Sequence, residues 1–383
     1  MTDERYDVAI IGAGPAGTTA GNLLARKGRR VAIIEREKFP RAVPCAGWLN
    51  IRAKALLDEL SFRFKPLDGA AFTDVTLYNA DCTKSARPTF DGQVGYIIDR
   101  AAFDNALAEA AVAGGATLLQ GADAVDLRLN ETEVVVTIRT PSASAGPTLA
   151  NEKRITSRLL IMAAGRGSPL AVRLGFVQRS AESPIWSAQI EGPIKSRGKS
   201  AAPRVAVILG LDGGGSFGFC CVSPARASLS VNWFGDPAPA VPALVRLCKL
   251  AAERGIMPID LSGKAAAVKL IRSPAAAALD MDSHVAKHAL LVGDAGGFVS
   301  AASNEGIYPA MWSAKIAAAV IDRALQSPYS QDELMSFDSA WRMEIADHLR
   351  SPHTDIRFLL PLIFSNQAMA DRMGAAFFFG ENI

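Results

Sequence analysis

The chain has 383 residues, 49% of them apolar and 21% charged, with a formal net charge of +3. That length suits two closely packed domains or one large composite with a sizeable core, and both charge signs are dispersed, with no basic run or aromatic-interleaved patch to hold nucleic acid. Five cysteines, Cys45, Cys82, Cys220, Cys221 and Cys248, form no CxxC pair, which argues against a disulfide framework, a zinc site or an iron–sulfur cluster.

The opening MTDERYDVAI lacks the charged and apolar regions of a signal peptide. No apolar run reaches about 18 residues, the length of a membrane-spanning helix. The expectation is a cytosolic protein. A buried apolar run, Val8 to Ile11, leads into Gly12, Gly14 and Gly17. A small-residue helix follows from about Ala16 to Lys27, then a second apolar run, Val31 to Ile34, ending in Glu35. Gly12 permits the tight turn, Gly14 lets a diphosphate approach the backbone, and Gly17 allows close helix–sheet packing. The free N–H groups and positive dipole end of the helix suit the phosphates. Glu35, 18 residues past Gly17, stands where a carboxylate accepts ribose hydroxyls. The pattern predicts an adenine dinucleotide site; its bland alternative is an ordinary βαβ unit with turn glycines.

Residues 36–50 read as a Pro- and Gly-punctuated loop, and 51–61 as a helix. Strands are expected at 71–79 and 94–98, and a helix at 99–113 with Asp99 as its N-cap. A short strand at 116–120 precedes a β-meander over 121–162, with a turn at 141–147. Residues 183–234 are strand-like and broken by DGGG; a helix at about 240–254, a buried strand at 289–294 and a helix at 306–325 complete the pattern. His284 and His288 have the spacing of a metal edge on a helix, with solvated surface histidines as the commoner reading, alongside His348 and His353. IRFLLPLIF (356–364) reads either as core or as the roof of a lipid tunnel or a membrane-docking face, and AAFFFGENI as a hydrophobic plug or a contact with a partner chain.

Four segments carry a resemblance: GAGPAG at 12–17 with Glu35, KFPRAVPCAGWL at 38–49, YIIDRAAFDNALAEAA at 96–111, and LLVGDAGGFVSAASNEGIYPAMWSA at 290–314. They resemble the FAD-dependent geranylgeranyl reductase family, a branch of the p-hydroxybenzoate hydroxylase-like flavoproteins. The resemblance implies an α/β fold. A Rossmann-like FAD-binding domain is assembled from 1–70, 96–180 and 275–330, interleaved with an antiparallel-sheet substrate domain from 71–95 and 181–274. A C-terminal helical segment covers 331–383.

The resemblance also implies site residues. FAD would be held by Gly12, Gly14, Ala16, Gly17, Glu35, Arg41, Arg100, Gly165 and Asp294. Ala124 would contact the adenine through its backbone. The Cys45, Ala46 and Gly47 turn would line the flavin ring, and Gly306-Ile307 would open a helix toward it, capped by Asn304 or Ser303. Cys45 has two readings, inert packing or a thiolate or proton donor; Tyr308 is the other candidate donor. Phe219, Cys221 and Pro224 fall where the reductases place a YxWxFP-like strand against a prenyl substrate, although two aromatics are replaced here by Cys and Ser.

Two departures matter. Ala164 stands where the superfamily has an Asp, which weakens a conventional NAD(P)H-driven monooxygenase. The AxGRxxxLA form at 163–171 is similar to flavin-dependent halogenases, but SPIWSAQIEGP has one Trp, and no lysine follows a GES turn. The expected function is reduction of carbon–carbon double bonds in an apolar, isoprenoid-like substrate. The alternatives are a monooxygenase or halogenase-like enzyme and a non-catalytic flavin-binding protein. Electrons would come from NAD(P)H or another donor bound transiently, and a peripheral membrane contact is expected.

Overall fold

The computed structural model describes residues 4–62, 69–141, 150–176, 184–194, 202–268, 270–273, 276–351 and 354–381. Most of the turn expected at 141–147, and His353, lie outside them. The first strand, β1 (Glu4–Ile11), passes through the glycine turn into α1 (Pro15–Arg26) and returns as β2 (Val31–Glu35). The turn is tight for a steric reason. A Cβ on Gly12, whose φ is +101°, would lie 2.2 Å from the Ala163 carbonyl oxygen, and one on Gly17 would lie 1.9 Å from the Gly12 oxygen. Only glycine lets α1 settle this close to the sheet.

Then come β3 (Trp48–Asn50), α2 (Ala53–Glu59), β4 (Gly69–Phe72), β5 (Asp74–Tyr78), β6 (Ser85–Ala86) and β7 (Gly95–Ile98). Asp99 caps α3 (Arg100–Ala113), its carboxylate accepting the Ala102 N–H at 3.1 Å. The strands β8 (Thr117–Gln120), β9 (Asp123–Leu129), β10 (Val134–Pro141) and β11 (Ala150–Met162) follow, then α4 (Pro169–Arg173). The middle of the chain supplies β12 (Ile185–Pro193), β13 (Arg204–Ile208), β14 (Phe217–Val222), β15 (Arg226–Phe234) and α5 (Ala240–Glu253). The rest forms β16 (Ile271–Arg272), β17 (Val285–Ala286), β18 (Ala289–Leu291), α6 (Ile307–Ala324), α7 (Ser330–Leu349), α8 (Ile356–Ile363) and α9 (Gln367–Phe379).

Three sheets result. The first runs β17-β18-β11-β1-β2-β8, with β10 and β9 paired onto β11 as the expected meander. Its β18-β11-β1-β2-β8 path is parallel. Helices α1, α3 and α6 bury one face of it, and the meander covers the other. The second sheet runs β16-β12-β15-β14-β13-β5-β6, and the third runs β3-β7-β4. This is the mixed α/β architecture with a Rossmann-like parallel sheet, a second largely antiparallel sheet and C-terminal helices.

The histidine expectation is corrected. Residues 284–288 are not helical, and His284 is fully buried rather than solvated. Its Nε2 meets the Gly296 carbonyl at 2.8 Å, Asp338 lies 3.3 Å from Nδ1, and Phe298 and Trp341 pack on the ring. Among the described residues no group of three potential metal ligands occurs. No described helix is long and apolar enough to cross a membrane.

Candidate active site

A cavity of about 710 Å³ opens at the C-terminal ends of β1 and β18, between the first sheet and one face of the second. Open α/β sheets bind ligands at such strand ends. Of the residues expected there, Gly14, Ala16, Cys45, Ala46, Gly47, Arg100, Gly165, Asp294, Gly306 and Ile307 line it. They come from six separate stretches of chain. Gly12 and Gly17 act behind the lining, as packing glycines.

Glu35 and Arg41 stand beneath the glycine turn. Glu35 Oε2 accepts the Ala13 N–H at 2.9 Å and Oε1 accepts the Glu37 N–H at 3.0 Å, so this buried carboxylate braces the turn itself. Arg41 Nη2 lies 3.9 Å from Glu35 and 3.5 Å from Asp104. Asp104 is fully buried and also takes a bidentate pair from Arg100, at 3.0 and 3.1 Å. Burial alone would weaken the Arg100 charge; the Asp104 carboxylate and the Cys45 side chain outweigh it and hold its pKa above the ordinary range. Sequence reasoning missed Asp104, although its i,i+4 spacing from Arg100 on a capped helix was the available signal.

Asp294 ends the strand-to-turn segment after β18. Burial raises its pKa from 3.8 to about 6; Arg100 opposes the rise and Asp104 adds to it. A Cβ at Gly306 would stand 2.9 Å from Asp294 Oδ1, so a larger residue there would push that carboxylate aside.

The N-terminus of α6 faces the cavity, but neither Asn304 nor Ser303 caps it. The capping group is Glu305, whose Oε1 accepts the Tyr308 N–H at 2.9 Å. Glu305 reaches across Gly306, whereas Asn304 is drawn away to Asn232 at 3.2 Å. Glu305 Oε2 also meets His348 Nε2 at 3.2 Å, and His348 Nδ1 meets the Phe379 carbonyl at 3.0 Å. A carbonyl only accepts, so Nδ1 carries a hydrogen and the His348–Glu305 contact needs a second proton.

Tyr308 does not line the cavity; its buried ring packs between Trp312 and His348. Burial raises its pKa, with Arg52 opposing and Glu305 adding. Cys45 does line it, with Sγ accepting the Gly47 N–H at 3.4 Å. Ala124 sits in β9 opposite Ile138, away from the lining.

The expected substrate strand is displaced from the opening. Phe219 and Cys221 project from β14 into a buried cluster with Trp48, Phe377 and Phe378. Phe219 stacks on Trp48 at 5.6 Å and on Phe377 at 6.0 Å between ring centroids. Burial drives the Cys221 thiol pKa well up, and Cys220 and Cys45 add to the rise. Pro224 lies exposed in the β14–β15 turn. The plug reading of the C-terminal aromatics therefore describes the structure. Of 356–364, Leu359 and Ile363 are core while Phe358 and Leu362 are exposed. The second sheet instead meets the cavity through polar side chains of β12 and β15.

The residues present fit a dinucleotide. Gly14 caps α1 with no side-chain bond of its own, and the space its Cβ would fill contains only Arg41 Nη2, at 3.8 Å. Arg41 Nε is buried without a partner. Donors without acceptors at a helix N-terminus suit a diphosphate.

The fold and this cradle define a dinucleotide-binding flavoprotein. The chain belongs to the FAD binding domain family, whose model matches residues 5–233. It is 32% identical over 181 residues to the menaquinone reductase of Mycobacterium tuberculosis, covering 45% of this chain and 41% of that protein. It is 37% identical over 116 residues to the digeranylgeranylglycerophospholipid reductase of Methanosarcina mazei, covering 30% of this chain and 28% of that protein. These matches thus span less than half the length of either relative. Among solved structures, a geranylgeranyl bacteriochlorophyll reductase-like protein from Thermoplasma acidophilum matches with a TM-score of 0.72 and 18% identity, covering 97% of this chain and 88% of the other. The flavin-dependent brominase Bmp2 shares the fold, with a TM-score of 0.64, 18% identity and coverage of 98% and 94%.

Proposed function

We propose that the chain is an FAD-dependent oxidoreductase that adds two hydrogens across a carbon–carbon double bond of an apolar, isoprenoid-like substrate. FAD, when bound, supplies a hydride from its reduced ring. Gly14 and Arg41 hold the diphosphate, and the N-terminus of α6 favours negative charge at the far end of the cavity. The observation that carries the reading is the convergence of the Cys45–Gly47 turn, Arg100 and the α6 N-terminus on one cavity whose described lining contains no lysine. The first three match the reductase pattern; a halogenase needs its active-site lysine. Cys45, the one of the two sequence-derived donor candidates that lines the cavity, is the group to hold the second hydrogen's proton. Electrons come from NAD(P)H or a redox partner that docks transiently, and the exposed Phe358 and Leu362 support a peripheral contact with a lipid surface.

The test is to load the protein with FAD, reduce it anaerobically and offer isoprenoid lipids, reading products by mass spectrometry. A gain of two hydrogens with return of the oxidised flavin spectrum is the expected result. Product carrying oxygen or halogen, formed only in air, would replace this reading with the monooxygenase or halogenase one.

A further inference from the structure

The cavity's second-sheet wall is polar although the same sheet face is apolar further along. Apolar substrate surface would have met Phe219, but α9 already occupies that space. What remains open presents a connected set of neutral groups. Ser187 Oγ donates to Asn232 Oδ1 at 2.6 Å, so the Ser187–Ser273 hydroxyl contact must use the Ser273 hydrogen. Asn304 Nδ2 donates to the same Asn232 oxygen at 3.2 Å.

Unused valences remain at this wall. Asn304 Oδ1 is enclosed without a partner. The Asn232 amide nitrogen and both ends of the Gln189 amide make no hydrogen bond among the described residues, and Asn232 is 9% exposed. Arg226 is held by Asp99 at 2.9 Å and Glu191 at 3.2 Å, so the wall offers no free cation to an anion.

We propose that this wall seats a neutral group of the substrate that both donates and accepts hydrogen bonds, such as a carboxamide. The substrate is then amphiphilic, its apolar skeleton carrying this group to the Gln189–Asn232 wall. The inference rests on the reading that substrate meets the cofactor in this cavity. A hydrocarbon would leave the wall's amides unpaired, and an anion would lose its hydration without gaining a counter-charge.

The test uses the FAD-loaded full chain and three probes on one skeleton: geranic acid amide, geranic acid and the hydrocarbon myrcene. Binding is read from the perturbation of the flavin absorbance. The amide is expected to bind about tenfold or more tighter than the other two. Gln189→Leu with Asn232→Leu should abolish the preference; Ser187→Ala, a milder change, should reduce it if the double variant does not fold. Equal or tighter binding of myrcene or geranate, or no binding of any probe, would overturn the proposal. Amide binding without reoxidation of the anaerobically reduced protein would leave the wall standing and overturn the reductase reading alone.

Discussion

Asp294 is costly to the empty protein, and the cost can be worked out. Its pKa rises from 3.8 to about 6 on folding, chiefly through burial. One pKa unit corresponds to about 1.4 kcal/mol, so a raised acid costs the ionised folded state about 3 kcal/mol at pH 7.5. The sign follows from proton counts. Between the two pKa values the folded state binds more protons than the unfolded one, so this contribution falls as pH rises and levels off above about 6. At pH 4.5 the penalty shrinks to roughly 1 kcal/mol. Asp294→Asn keeps the shape and removes the charge. It should therefore stabilise the flavin-free protein by up to about 3 kcal/mol at pH 7.5 and by about 1 kcal/mol at pH 4.5. Urea unfolding at both pH values measures this. On the reading that Asp294 contacts FAD, the same variant should hold FAD less firmly. A variant less stable than the parent at pH 7.5, or a difference that does not shrink on acidification, would refute the burial argument.

Four further outcomes follow from the geometry. Gly14→Ala should change stability by less than about 1 kcal/mol, yet lower FAD affinity about tenfold or more, because its Cβ enters the diphosphate space. Gly17→Ala should instead cost roughly 3 kcal/mol, because its Cβ meets the Gly12 backbone oxygen; equilibrium unfolding and FAD titration separate the two. His348→Ala should destabilise by about 3 to 5 kcal/mol in urea, since Glu305 stays buried without its imidazole, and Gln at 348 should restore part of the loss. Phe377→Ala should cost about 3 to 5 kcal/mol by thermal or urea unfolding and raise affinity for myrcene, because it uncovers Phe219.

The cofactor end was legible because its constraints are local. A strand, a glycine turn, a helix and an acid lie within one stretch, and sterics tie each glycine to its place. Glu35 shows where locality ends: its position was readable, but not that both oxygens brace the turn. The α6 cap was misassigned for a related reason. Ser303 and Asn304 have good capping chemistry, but Asn304 is recruited by Asn232 in another sheet, and Glu305 is fixed by His348 of α7. His284 read as a surface histidine because nothing near it in sequence announces Asp338, Phe298 or Trp341. The polar wall was visible as alternation at 187, 189, 191 and at 226, 228, 230, 232. Period-two polarity is ordinarily assigned to solvent; only the tertiary packing shows that much of this face looks into a cavity.

The C-terminal helices decide what the cavity can accept. The fold is shared with a geranylgeranyl bacteriochlorophyll reductase-like protein and with a brominase, so it leaves the chemistry open. In this chain one face of the second sheet is divided in two. On β14 that face carries Phe219, which Phe377 and Phe378 of α9 cover. On β12 and β15 the face stays uncovered and carries Ser187, Gln189 and Asn232. Filling one half of the sheet from within the chain therefore turns a greasy platform into a polar one without altering the sheet. The same helices close the Phe379–His348–Glu305 chain onto the start of α6. One C-terminal helix, α9, thus both covers Phe219 and reaches the start of α6 through His348 and Glu305.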